Sequence, residues 1–233
     1  MVLAGVCMAS DAHAQMVEWK DRGFINVSGG VQTGSKDVAS QLSFTLYDET
    51  ATVDTNRTVD GGAFWDVTAG ARVWKNLAVA VSVSGRSANS DGTAVASVPH
   101  PIFYEQPRSV TSTISGMEHK ETWGAILAAW MFPVTEKFDV MVFGGPAVAK
   151  VDHEVVGAAT IQEAAIPGVT VTLDSVSKSV WGVSAGLDAR YMVSQRIGLG
   201  AFARYSAASV NLSSTSKLDV GGFQVGGGVR VRF

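Results

Sequence analysis

The chain has 233 residues, 46% of them hydrophobic and 17% charged, with a net charge of −3. That length allows one large domain or two small ones. There is no basic excess, so a nucleic-acid partner is not expected. The 25 glycines form no long tract of the kind that stays disordered.

At the N-terminus, Val2 to Ala9 is apolar and small, and Ala12-His13-Ala14 has the small-x-small form of a cleavage site, though no Lys or Arg precedes it. The expected division is a signal peptide over 1–14 and one barrel domain over 15–233. Cys7, the single cysteine, would leave with the signal, so no disulfide is expected. The longest uncharged apolar stretch, Trp123 to Val134, has twelve residues, against roughly 20 for a spanning helix. Such a chain can cross a membrane only as a closed barrel, in which every backbone group finds a partner.

From residue 24 onward the pattern is period-two alternation in segments of about ten residues. Eight segments are read, near 24–33, 63–74, 77–87, 122–132, 138–151, 179–192, 197–207 and 221–233. In the second, Trp65, Val67, Ala69, Ala71 and Val73 oppose Asp66, Thr68, Gly70 and Arg72. In the sixth, Trp181, Val183, Ala185, Leu187 and Tyr191 oppose Gly182, Ser184, Gly186, Asp188 and Arg190. The last sets Phe223, Val225, Val229, Val231 and Phe233 against Gln224, Gly226, Gly228, Arg230 and Arg232. The fourth and fifth alternate poorly; the fourth is read as a strand because Trp123 and Phe132 bracket it.

Tight turns are expected at Lys75-Asn76, around Pro133 to Lys137, and at Ser194-Gln195-Arg196. Long connections, about 34–62, 88–121, 152–178 and 208–220, alternate with them. All tight turns then fall at one end, the asymmetry of outer-membrane barrels. The predicted fold is all-β: an eight-stranded antiparallel up-and-down transmembrane β-barrel. The polar face agrees, being mostly Gly, Ala and Ser with a few charges, which suits a narrow lumen better than a water-facing surface. Trp65, Trp74, Trp123, Trp130, Trp181, Tyr191 and Tyr205 sit near segment ends, as interfacial girdles require.

The ending Gly226-Gly-Gly-Val-Arg-Val-Arg-Phe233 resembles the C-terminal signal of bacterial outer-membrane proteins. Over about residues 22–233 the chain resembles the small barrels typified by the OmpA membrane domain and OmpX. The resemblance implies an outer-membrane location, among its lipid and lipopolysaccharide. It also implies that the barrel-assembly machinery reads Phe223, Val225, Val229, Val231 and Phe233. No peptidoglycan-binding domain is expected after Phe233.

The candidate chemistry is sparse. Arg72, Arg86, Arg190, Arg204, Arg230 and Arg232 lie on polar faces, with Asp66 and Asp188 as their clear acidic counterparts. They read as a lumenal ion network, since buried charges must be paired; the sharper alternative is an anion-attracting pore or small-molecule carrier. His100, His119 and His153 fall in the long connections and read as solvated loop residues, not as a lipid A-modifying site, because no nucleophile motif accompanies them. Glu118-His119-x-Glu121 matches no metal motif, and Asn89-Ser90-Asp91-Gly92 reads as a turn. No catalytic residue, metal or cofactor is expected. Pro99-His-Pro-Ile-Phe-Tyr104 is an exposed apolar patch. Val169, Val171 and Leu173 alternate as if extending a hairpin above the membrane. A structural or surface-interaction role follows, with any extracellular ligand reached through 88–121 and 152–178.

Overall fold

A computed structural model describes residues 19–162, 168–211 and 217–233; the expected signal peptide lies outside them. The described chain is strands and turns throughout: β1 (Gly23–Thr33), β2 (Lys36–Leu46), β3 (Glu49–Val59), β4 (Ala63–Trp74), β5 (Leu77–Val98), β6 (Arg108–Pro133), β7 (Phe138–Gln162), β8 (Gly168–Met192), β9 (Ile197–Asn211) and β10 (Lys217–Arg232). All pair antiparallel. The order β5-β4-β1-β10-β9-β8-β7-β6 closes on itself because β6 pairs back onto β5. Eight strands therefore form the expected ring.

Closure is made by the first and last strands, in register from Phe24↔Arg232 to Thr33↔Phe223. The amides of Arg22 and Gly23 donate to the Phe233 carbonyl at 2.6 and 2.9 Å. The faces sort as alternation requires. Val67, Val79, Val81, Val83, Val183, Leu187, Leu199 and Val229 point outward and are exposed, while Phe24, Leu127, Met131, Met141 and Phe143 fill the interior. A surface so apolar would be a liability in water and is the right one for lipid. Trp74, Phe132 and Tyr191 bound this band at the tight-turn end, and Trp65, Trp181 and Tyr205 at the other.

The long connections are the main departure from expectation. Residues 34–62 are not a loop but a hairpin, β2–β3, whose inner strand pairs with β5 from Thr52↔Ser97 to Arg57↔Gly92. Residues 88–121 continue β5 and β6 as one ladder to Val98↔Arg108. Residues 152–178 continue β7 and β8 to Gln162↔Gly168. Ten strands are thus present among the described residues, two of them outside the ring.

Beyond the membrane band the β6–β7 ladder stops at His119↔His153, and the wall divides. The sheet β2-β3-β5-β6 then packs on the β7–β8 hairpin. Val53, Ala94, Ala96, Val98, Val110 and Ile114 meet Val156 and Val169, with Leu42, Phe44, Ile161, Val171 and Leu173 at the margin. This second apolar core makes an outer head continuous with the barrel strands.

Candidate functional site

Three levels along the axis carry the chemistry. The lowest is the lumen. Arg204 Nη1 lies 2.7 Å from Asp66 Oδ2, across the ring, and its Nε donates to Gln224 Oε1 at 2.8 Å. Its guanidinium also lies 5.8 and 5.6 Å from the rings of Phe64 and Phe202. Arg230 reaches Asp188 at 2.9 Å and donates to Ser28 Oγ at 2.8 Å. Arg190 pairs with Asp139 and stands 5.4 Å from the centre of the Phe24 ring. Each arginine thus has a carboxylate and a further partner, as burial demands.

Asp139 escaped the sequence reading because it opens β7 beside a turn, where an acidic residue looks solvated. Three of the named arginines lie outside this lumenal set. Arg232 is at the tight-turn mouth, 3.4 Å from Asp21. Arg86 is at the opposite end, 3.5 Å from Glu121. Arg72 donates to the Trp19 carbonyl at 2.5 Å, and Trp19, buried, stacks edge-on against Phe24. That pair caps the tight-turn mouth. A cavity of about 10 Å³ remains among Asn26, Asp66, Asp188 and Arg204, room for about one water.

The middle level is a neck between the two cores. His119 and His153, expected to be solvated, are each only 2% exposed; their strands continue past the membrane band and turn both rings inward. The neck forms a directional chain of donors. Arg57 Nη2 lies 2.5 and 2.6 Å from Nδ1 and Nε2 of His153, of which Nε2 is left to accept. His153 and His119 meet Nδ1 to Nδ1 at 3.0 Å, and His119 Nε2 lies 2.9 Å from Glu121 Oε1. Trp123, buried and not in the girdle, donates its indole N–H to Glu121 Oε2 at 3.1 Å. Arg57 can only donate and Glu121 accepts, so the chain is satisfied by two neutral imidazoles. Among the described residues no group of three or more His, Cys, Asp or Glu is placed to hold a metal.

His153 lies five residues beyond Val148, the register partner of the outer girdle's Trp181. It is therefore clear of the spanning segments. Burial, then the neighbouring Arg57, then His119 hold its pKa down to about 3.

The highest level is the distal tip. Residues 99–107 join β5 to β6 with Ile102, Phe103 and Tyr104 all exposed, Ile102 by 79%. The loop is braced from within. His100 Nδ1 accepts from the amides of Ile102 and Phe103 at 3.1 and 3.2 Å, and the Glu105 amide donates to Glu49 of the adjacent hairpin at 3.1 Å. Tyr47, at the β2–β3 turn, is exposed too. The Asn89–Gly92 stretch, expected as a turn, is a bulge inside β5, where Asp91 accepts from the Gly116 amide at 2.9 Å.

A closed eight-strand ring with an apolar exterior, aromatic girdles and a filled, charge-paired lumen defines an integral outer-membrane β-barrel protein. The chain belongs to the outer membrane protein beta-barrel domain family, whose model matches residues 1–233. No curated protein matches it in sequence. Among solved structures it is similar to Neisserial surface protein A (14% identity, 91% of this chain and 97% of that one, TM-score 0.46). It is also similar to OprG from Pseudomonas aeruginosa (13%, 91% and 96%, 0.48). A third is Ail of Yersinia pestis in complex with the heparin analogue sucrose octasulfate (14%, 90% and 99%, 0.34).

Proposed function

We propose that the barrel is a membrane seat for a rigid outer head whose tip engages an extracellular partner, without catalysis. The observation that carries this reading is the braced loop at 99–107. Three consecutive large apolar side chains are held out in water at the far end of the β5–β6 ladder, and such exposure marks a binding surface more often than an accident of packing. The second core beneath them supports the reading, since a rigid support lowers the entropy lost when a partner docks.

The test replaces residues 99–107 by a Gly-Ser turn. The barrel should keep its heat-modifiable migration on a gel, while cell-surface binding should fall to background; retained binding would remove the role of the tip.

We read the remaining partners in the same spirit. Phe223, Val225, Val229, Val231 and Phe233 share the lipid-facing side of β10, which suits recognition by the barrel-assembly machinery. Residues 1–14 are read as the cleaved export signal. A channel or carrier is disfavoured by the interlocked Arg204–Asp66 and Arg230–Asp188 pairs and by the Trp19 cap.

A further inference from the structure

One stretch of the barrel wall is open on one side. The β4–β5 ladder ends at Phe64↔Arg86, and the β3–β5 ladder begins at Arg57↔Gly92. Residues 87–91 of β5 carry no ladder partner on that side, leaving a gap just beyond the girdle residue Trp65. A groove of about 490 Å³ opens at its lower end, walled by Phe64, Trp65, Arg86, Ser87, Lys120 and Thr122, with Glu121 behind.

Three buried polar atoms along this gap have no hydrogen-bond partner: Arg57 Nη1, Ser90 Oγ and Arg86 Nε. The Arg86 side chain is only 5% exposed, and its contacts are long, 3.3 Å to the Asp60 carbonyl and 3.5 Å to Glu121 Oε1. That same Glu121 oxygen already lies 2.9 Å from His119. The Nε/Nη2 edge of an arginine is the fork that grips phosphate. Here it has one unused donor and one stretched contact.

Charge points the same way. In the neck two buried guanidinium groups, Arg57 and Arg86, and the half-buried ammonium of Lys36 surround one buried carboxylate, Glu121, while Glu154 and Asp219, which are not buried, act on Arg57 and Lys36 from outside. Buried positive charge in excess is costly unless an anion answers it. At the groove rim Lys120 is half exposed and shares its charge with Glu118 at 2.7 Å.

We propose that this groove is an oxyanion site, in which the Arg86 fork takes the phosphate of an outer-leaflet lipid head, with Lys120 at the rim. The gap lies just outside the aromatic girdle, the depth at which such head groups sit, which favours a lipid over dissolved phosphate. This site is independent of the tip, so either can fail alone.

The experiment uses 15N-labelled protein in maltoside micelles, which carry no phosphate, and follows the Arg86 Nε–Hε resonance, assigned by its loss in R86K. Lipid A, dephosphorylated lipid A and inorganic phosphate are titrated separately. A saturable shift with lipid A and none with its dephosphorylated form is expected. An equal shift with inorganic phosphate would keep the oxyanion site but assign its ligand to solution. Both variants lack that resonance, so their lipid A affinity is read from the backbone amide shifts of Ser87 and Lys120: R86Q, which keeps heat-modifiable migration if folded, should bind about tenfold more weakly, the scale of one charge-assisted hydrogen bond, and R86K, which retains charge without the fork, should fall between. No shift with any of the three probes in folded wild-type protein overturns the site.

Discussion

Asp66 and Arg204 illustrate how a residue carries charge inside a nearly dry lumen. Their side chains are 6% and 5% exposed, so removing one partner strands the other. Asp66→Ala should cost about 3–5 kcal/mol, whereas the double variant Asp66→Ala/Arg204→Met should recover much of that loss. Urea unfolding midpoints of the three proteins in lipid vesicles decide it; a double variant no better than the single would mean that the pair adds nothing beyond packing.

His153 makes a different prediction. In the opened head it binds a proton near 6.5, in the closed head only at about 3. Between those values the opened form holds one proton more. Head stability is therefore complete above pH 6.5 and declines as pH falls toward 3. A proton on Nε2 would also confront Arg57, and the other charged or titratable neighbours are His119 and Glu121 on β6, with Arg86 beyond. Hydrogen exchange in β2 and β3, corrected for intrinsic rate, should quicken between pH 7 and 4.5 while β9 and β10 hold. His153→Gln should abolish the difference; an unchanged pH response in that variant would dismiss His153 as its source.

At the scale of elements, the membrane strands were legible and the head strands were not, for identifiable reasons. In β4, β8 and β10 the two faces differ sharply, because lipid meets one and a polar lumen the other. In β3 the inward set mixes Val53 and Val59 with Thr55 and Arg57, which blurs the contrast. The β2–β3 turn conceals itself as well. Tyr47 and Asp48 adopt φ of 54° and 60°, the two positive values a tight hairpin needs, usually supplied by Asn-Gly. The neck chain had no local signature, since Arg57 and His153 stand 96 positions apart. The hairpin's backbone ladder with the ring is nonetheless confined to the far half of β5, with side-chain bonds besides, from Lys36 to β10, from Arg57 to His153 and between Glu49 and the 99–107 loop. Replacing residues 36–59 with a short turn should leave heat-modifiable migration intact and expose the β5–β6 extension to protease. Loss of barrel folding would mean that the hairpin is needed for closure.

At the scale of the whole molecule, two cores share one set of strands. The lower is an inside-out surface around paired charges; the upper is an ordinary apolar sandwich. Alternation, turn spacing and the terminal Phe233 were sufficient to recognise the ring, since eight strands leave an interior that side chains can fill. The same filling predicts electrical silence. Purified protein in planar bilayers should give no reproducible channel events in symmetric salt; steady unitary conductance would require the arginine pairs to part and Trp19 to leave its mouth.

The continuation of β5 past the girdle sets a height. From Gly85 to Val98 the strand runs unbroken apart from one bulge. At about 3.3 Å per residue and a tilt near 40°, that lifts Ile102 and Phe103 on the order of 30 Å above the lipid. The head is thus a mast of fixed length. Were the surrounding leaflet to carry sugar chains, short ones would leave the aromatic tip clear and long ones would submerge it, so what could touch this protein would be set partly by the polysaccharide of its neighbours.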